Sequence, residues 1–267
     1  MNVEKHKNEP NHLLVAEYNT KIKTFANGEQ HLVYHSYSNL KGYNQKKNSS
    51  PLSEPDEESR AHQKYKNLLR AKSSIIDLIY HNGLIKPWQY FVTLTFDPKE
   101  VDSFDYETVS KALSKWINNM KHQNPDMAYV MTPELHKSGR IHFHGVFRDV
   151  PNWKLVQATN SNSQRITKDG LPIYNLTNYK FGFTTVSEIQ NQEAVSVYVS
   201  KYVTKDLIDK EFKKKYWCSR NLERPKLQYA VLTENELEFY IDKHDLKDYN
   251  QKEFTNNKSI YCKLKIA

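Results

Sequence analysis

Cysteine occurs only twice in 267 residues, at Cys218 and Cys262, far apart and without CxxC spacing. That excludes a disulfide framework and a cysteine zinc site, and both thiols are expected to be reduced and structural. Glycine is scarce, at seven, and no GxxxxGK loop is present, so a built-in nucleotide-driven motor has no phosphate cradle to work with. No stretch approaches the ~18 consecutive apolar residues of a membrane span, and Met1 to Pro10 is polar rather than a secretory leader. A soluble, cytoplasmic protein is expected. No internal repeat is visible. What the chain has in excess is positive charge, +8 overall, which suits a polyanionic partner and nucleic acid first.

The order of patterned segments gives an outline. Residues 1–58 carry little periodicity, and Lys41 to Glu58 is rich in Lys, Asn, Ser, Pro and acids, so this part reads as a polar, loosely attached segment. Leu68, Leu69, Ile75, Ile76, Leu78 and Ile79 follow a helical pattern that Asn82-Gly83 is expected to end. Tyr90 to Phe96 alternates and is rich in β-branched and aromatic residues, a strand that stops at Asp97-Pro98. Val109, Leu113, Trp116, Ile117 and Met120 predict a helix over about 106–122. Two hairpin strands follow, about 128–136 and 140–147. Asp149 to Tyr179 then reads as a long excursion from the core, Phe181 to Ile189 as a strand, and Gln192 to about Leu207 as a helix. The sum is an α+β domain over 59–232, with an antiparallel sheet and helices on one face, followed by a C-terminal helix and tail over 233–267.

Chemistry concentrates at the hairpin. A three-residue loop Lys137-Ser138-Gly139, with glycine in the left-handed position, pairs His136 with Arg140 and Glu134 with His142. Because side chains alternate along a strand, Glu134, His142 and His144 then share one face while Leu135, Ile141 and Phe143 take the other. A carboxylate and two imidazoles make a divalent-metal site; the same residues also fit a solvated sheet face. A second signal lies on the helix near 200, where Tyr198, Lys201, Tyr202 and Lys205 stand at i, i+3, i+4 and i+7. Val195, Val199 and Val203 form the adjoining apolar stripe. A phenol is a poor nucleophile at neutral pH and needs proximity, a base or a nearby cation. Phosphodiester transesterification needs such a nucleophile and a Lewis acid together.

Three ordered motifs now carry a resemblance: Phe91-Val92-Thr93-Leu94-Thr95-Phe96; Glu134 with Gly139-Arg140-Ile141-His142-Phe143-His144-Gly145; and Tyr198-x-x-Lys201-Tyr202-x-x-Lys205. The chain resembles the HUH endonucleases, in particular the rolling-circle replication initiators of single-stranded DNA phages and small plasmids, over about residues 88–226. Trp217 to Pro225 also looks like the segment that follows the tyrosine helix in phage and plasmid relatives.

The resemblance implies a ferredoxin-like core with a central antiparallel sheet flanked by helices. It implies Mg²⁺ or Mn²⁺ on Glu134, His142 and His144, although the donors alone would also suit zinc. Tyr202 and Tyr198 become candidate nucleophiles, Tyr202 the better for the first attack because it also fits a YxxK pattern, with Lys201 and Lys205 as helpers at the phosphate. Such an enzyme nicks single-stranded origin DNA, keeps the 5′-phosphate on tyrosine, frees a 3′-hydroxyl for a polymerase and later rejoins the strand. Its partners are the origin DNA, at a hairpin, and a host helicase and DNA polymerase in a bacterial cytoplasm. Between Lys201 and Lys226 nine Lys or Arg face four acids, and Lys213-Lys214-Lys215-Tyr216-Trp217 adds rings to charge. Arg140, Lys213, Lys214, Lys215, Arg220 and Arg224 are therefore the expected DNA contacts. Competing readings are a plasmid relaxase or single-strand transposase of the same chemistry, or a non-enzymatic basic DNA-binding regulator.

Overall fold

The computed structural model describes residues 16–41, 56–204, 206–209, 212–243, 249–254 and 257–264. In chain order the elements are β1 (Ala16–Thr24), β2 (Gln30–Lys41), α1 (Glu57–Ile85), β3 (Tyr90–Thr95), α2 (Tyr106–Gln123), β4 (Ala128–Leu135) and β5 (Ile141–Arg148). The short strands β6 (Leu155–Gln157), β7 (Thr167–Lys168), β8 (Leu171–Pro172) and β9 (Tyr174–Leu176) follow, then β10 (Thr184–Glu188), α3 (Gln192–Ser200) and α4 (Asp206–Asp209). The last are β11 (Trp217–Cys218), β12 (Lys226–Ala230), α5 (Glu234–Lys243), β13 (Tyr249–Phe254) and β14 (Asn257–Leu264). They divide between two compact units, a central one of residues 55–225 and a terminal one made from residues 1–54 and 226–267.

The central unit is an α+β layer structure around an antiparallel sheet in the order β11-β4-β5-β3-β10-β9-β6. Its register sorts the side chains. Thr93 pairs with His144, Thr132 with His144 and Glu134 with His142, so Phe91, Thr93, Glu134, His142 and His144 point to one face. Leu94, Met131, Phe143, Phe147 and, on β11, Trp217 point to the other.

That second face carries α2, an 18-residue helix whose Val109, Leu113, Trp116, Ile117 and Met120 are all buried. Asp105 caps it by accepting from the Thr108 N–H at 2.7 Å. Trp116 meets Phe147 edge-on at 5.9 Å. The first face carries α3 and α1, which pack on each other and bury Ile75, Leu78, Ile79, Val195 and Val199. Each such side chain contributes roughly 1.5–3 kcal/mol through burial. Helices therefore cover both faces, not the single face expected, because an apolar stripe shows that a helix packs but not on which side of a sheet.

Two further expectations shift. α1 runs through Asn82-Gly83 to Ile85, where the sequence pattern placed its end. Asn82 instead grips a distant peptide, donating to the Glu223 carbonyl at 2.8 Å and accepting from the Glu223 N–H at 3.0 Å. Gly83 lets Trp88 and Gln192 come close, since a Cβ there would lie 3.2 Å from the Trp88 ring. The stretch 149–179 is no excursion: β6 and β9 extend the sheet, and Trp153, Leu176 and Tyr179 are buried in the core. Strands of three residues are too short to leave a period-two signature.

The terminal unit is a five-stranded antiparallel sheet, β12-β1-β2-β14-β13. Thr20 pairs with both Ala230 and Tyr34, so strands from the two ends of the chain are neighbours. On one face Leu32, Tyr34 and Ile260 bury Leu237 of α5, with Ile22, Tyr240 and Ile241 around them. Strands thus occupy residues 16–41, where the sequence reads as polar and loosely attached, and β13 and β14 lie where it reads as a tail. Residues 42–55, most of the Lys-, Asn- and Ser-rich stretch, lie outside the described residues.

Candidate metal centre and nucleophile site

The β4–β5 hairpin closes as its spacing demands. The His136 N–H donates to the Arg140 carbonyl and the Gly139 N–H to the His136 carbonyl, each at 2.8 Å, with Gly139 at φ +83°. Among the described residues, Glu134, His142 and His144 form one group whose ligand atoms all lie within 4.8 Å of one another. The imidazole Nε2 of His144 is 2.6 Å from the Glu134 carboxylate, and its Nδ1 is 2.9 Å from the Thr93 hydroxyl. Gly145 fits where it does because a Cβ there would lie 2.2 Å from the Val130 carbonyl oxygen. The residue beside the ligand pair is glycine for want of space.

Electrostatics favour the ligand forms of these side chains. Hydrogen bonding from His144 holds the Glu134 carboxyl below the ordinary glutamate range, against the opposing effect of burial, with the charges of the neighbouring histidines adding to it. His142 is pushed down to about 4, chiefly by burial and then by the histidines at 136 and 144. A carboxylate and a neutral imidazole at neutral pH are what a divalent ion binds.

The contacts of His144 also suit an ion. With Nε2–H on Glu134, its Nδ1 accepts from the Thr93 hydroxyl; if an ion takes Nε2, the proton moves to Nδ1 and the same hydroxyl turns to accept it. Thr93 can satisfy both tautomers, and such a partner behind a metal-binding histidine sets the ring's orientation. The donor set and this support fit a bound divalent cation.

Tyr198 and Tyr202 arrive at this face from α3. Asn191 caps the helix by accepting from Ala194 N–H at 2.9 Å, and the Gln192 amide pairs with both backbone groups of Trp88, at 2.8 and 2.9 Å. Those bonds fix where the helix starts on the sheet. It ends earlier than the sequence pattern indicates, at Ser200, and Lys201, Tyr202 and Val203 donate to carbonyls three residues back. Several β-branched residues in a short helix, and the Ser200 hydroxyl bonding to the Val197 carbonyl at 2.8 Å, weaken the α-helical ladder there.

The tightened turn lays the Tyr202 ring flat on the His144 ring, centroids 3.7 Å apart and planes 7° from parallel. The Tyr202 hydroxyl donates to the Tyr198 oxygen at 2.9 Å. Phe91 lies against both, 5.2 Å from Tyr198 and 6.3 Å from Tyr202. Tyr198 is 37% exposed while Tyr202 is half-buried. Burial, then the bond to Tyr198, then the Glu134 charge push the Tyr202 phenol above its usual value. Lys201 places its ammonium 5.7 Å from the centre of the Tyr198 ring. Lys205 lies outside the described residues.

The expected DNA contacts do not converge. Arg140 is at the hairpin tip beside His142. Lys213 and Lys214 line a cleft of about 500 Å³ with Tyr106 and Trp217 against α2, on the sheet face away from the histidines. Lys215 turns inward, its ammonium donating to the Leu207 and Phe212 carbonyls, the latter at 2.7 Å. Burial lowers its pKa, so this lysine closes the chain around α4 rather than facing solvent. Arg220 is exposed, and Arg224 reaches the Tyr216 hydroxyl at 3.4 Å.

Phe91, Thr93 and His136 also belong to this site, although no sequence motif marks them as members of it. His136 stacks on His142 at 4.9 Å and is steadied by the Ser138 hydroxyl at 2.9 Å. A signal exists for the first two, since residues 91, 93 and 95 alternate onto the face that the His pair occupies.

Comparison with known families decides the context. Residues 89–207 match the family model of the replication-associated protein ORF2. This segment is a domain of that family. The match runs from the start of β3 to α4 and takes in Thr93, Glu134, His142, His144, Tyr198 and Tyr202. It agrees with the resemblance to rolling-circle replication initiators and places the protein in DNA replication. No curated protein and no solved structure matches the chain. Among the described residues no helix is long and apolar enough to cross a membrane.

Proposed function

We propose that this replication-associated protein is an HUH-type endonuclease that nicks single-stranded origin DNA through a tyrosine and later rejoins it. The observation that carries the reading is the Tyr202 ring lying on His144, which brings the phenol to the same small volume as the candidate ligands. In this reading Glu134, His142 and His144 hold Mg²⁺ or Mn²⁺, which polarises the scissile phosphate and offsets its developing charge. The residues of the chain do the rest.

Tyr202 Oη attacks phosphorus, the new Oη–P bond replaces the P–O3′ bond, and the departing 3′-oxygen takes up a proton. The proton that Tyr202 must lose has a path, because its hydroxyl already donates to Tyr198, whose outer edge meets solvent. With Glu134 neutralised by a cation, one of the three causes that raise the Tyr202 phenol is removed. Lys201 beside Tyr198, and Lys205, supply positive charge to the phosphate. The second phenol then serves the reverse transfer, in which a 3′-hydroxyl attacks the phosphotyrosine and closes the strand. The free 3′-hydroxyl primes a host polymerase, a host helicase opens the duplex, and the origin presents its strand at a hairpin in the bacterial cytoplasm.

The test is a 5′-labelled origin oligonucleotide with a matching 3′ label, incubated with the protein and Mn²⁺ and then denatured. A covalent protein band carrying the 3′ label, prevented by EDTA, is the expected outcome. A protein that retards the oligonucleotide on a native gel but never yields that band is a DNA-binding regulator, and the reading fails.

A further inference from the structure

The terminal unit lies outside the matched segment, and the proposed cleavage chemistry leaves it without a role. Its sheet has one face closed by α5 and a second that, within this unit and among the described residues, no helix covers. The register fixes what the second face holds. Lys21 pairs with Val33 and Tyr229, Lys23 with His31 and Leu227, and Tyr261 with Val33, all pointing away from α5.

Tyr18 joins them across the bulge in β1, its ring edge-on to Tyr229 at 4.8 Å, and Tyr37 continues the row beyond His35 at 5.0 Å. Four tyrosines and two lysines thus share a surface whose described strand positions include no aspartate or glutamate. Glu29, at the end of the face, is buried and paired with the His31 ring at 2.7 Å. Tyr37 is 43% exposed, Leu227 45% and Tyr261 36%, high for large side chains on a sheet.

We infer that this face is a second single-stranded DNA site, separate from the cleavage centre, on which unpaired bases stack against tyrosines while Lys21 and Lys23 neutralise the phosphates between them. Stacking tolerates any sequence, because every base has a π-face, and it demands unpaired bases, because a duplex hides those faces. Phenol rings suit such stacking, since they offer flat area with little side-chain freedom to lose. They are also steadied in advance, as where Tyr261 Oη meets His31 Nδ1 at 3.1 Å. An acidic protein partner would find the same lysines but no use for a row of rings with few aliphatic neighbours. The choice of single-stranded DNA as the occupant rests on the proposed nickase reading; the presence of a binding face does not.

The experiment measures affinity of the full chain for a labelled oligothymidine in EDTA, where no cleavage occurs, by fluorescence anisotropy. Tyr37→Ala and Tyr261→Ala are each expected to weaken binding roughly five-fold or more, as loss of one stacked base does, with little change toward duplex DNA. Tyr37→Leu, which keeps apolar bulk, should weaken it too, and Phe239→Ala on the exposed side of α5 should not. Thermal melting of each variant shows whether it is folded. Unchanged oligothymidine affinity in folded Tyr37 and Tyr261 variants overturns the inference. So does an equal loss for duplex, or tighter binding of an acidic peptide than of the oligonucleotide. The outcome is independent of the adduct assay: an adduct with normal binding in the tyrosine variants sinks this face alone, and binding loss without any adduct sinks the nickase alone.

Discussion

Thr93→Val removes one hydroxyl from behind His144 and nearly nothing else. Valine keeps the β-branched shape on β3, so the strand and its pairing to β5 are preserved. The bond lost is the 2.9 Å contact between the Thr93 oxygen and Nδ1 of His144. A residue that orients a metal-binding histidine typically accounts for 10–100-fold in metal affinity, or about 1.4–2.7 kcal/mol. The lower end is expected here, because Glu134 and the Tyr202 ring also hold His144, at 2.6 and 3.7 Å. Mn²⁺ titration by calorimetry should therefore show affinity reduced about ten-fold. Adduct formation should fall at limiting Mn²⁺ and recover when Mn²⁺ is raised, which a misfolded variant would not do. Unaltered Mn²⁺ affinity in Thr93→Val, alongside loss of binding in His144→Ala, would refute the orienting role of Thr93. Normal binding in His144→Ala would refute the metal centre itself.

Four other outcomes follow. Tyr202→Phe should abolish the first cut while Tyr198→Phe keeps it and loses strand rejoining; peptide mapping of the trapped adduct on any tyrosine but these two would count against the site. Gly145→Ala drives a Cβ to 2.2 Å from a backbone oxygen that cannot swing aside, so destabilisation of about 1–3 kcal/mol or more is expected, and an unchanged melting temperature would contradict the close approach of β5 to β4. His81 in α1 is buried and its pKa is lowered by that burial, so between its folded value and about 6.5 the unfolded chain binds more protons. Stability contributed there is complete above about pH 6.5 and is lost as pH falls; His81→Gln should shrink the drop in melting temperature between about pH 7 and about pH 5, and an equal drop in both proteins would disprove it. Lys215→Met should lower stability yet leave the salt dependence of DNA binding alone, whereas Arg140→Gln should reduce the log–log salt slope by about 1; the reverse pattern would show the two cations misassigned.

The hairpin was legible because two local rules act together there. A glycine-terminated three-residue loop sets the register, and alternation then assigns Glu134, His142 and His144 to one face without reference to anything distant. The α2 stripe was legible for the same reason, its apolar spacing being strictly local. The terminal sheet was not, since only Ile22, Leu32, Tyr34 and Ile260 turn inward along its strands, too few for a pattern, and the partner of Thr20 is Ala230. Nor could spacing locate the end of α3, where competition between a serine hydroxyl and the helix ladder decides the last turn. Lys215 shows the limit of reading charge: a run of three lysines looks uniform, but the third one spends its ammonium on two backbone carbonyls. Which side of the sheet the other two occupy depends on the pairing of Trp217 with Met131, a contact across more than eighty residues.

The pairing of β1 with β12 has a bearing on how the protein is made. Synthesis delivers the first two strands early, and their hydrogen-bonding edges must wait while the whole central unit emerges and gathers its own core. Contacts between residues some two hundred positions apart form slowly, since the loop they close is long. A ribosome that stalls anywhere before Lys226 therefore releases a chain whose middle can fold but whose opening hairpin has lost its partners, leaving bare β-edges as a target for quality control.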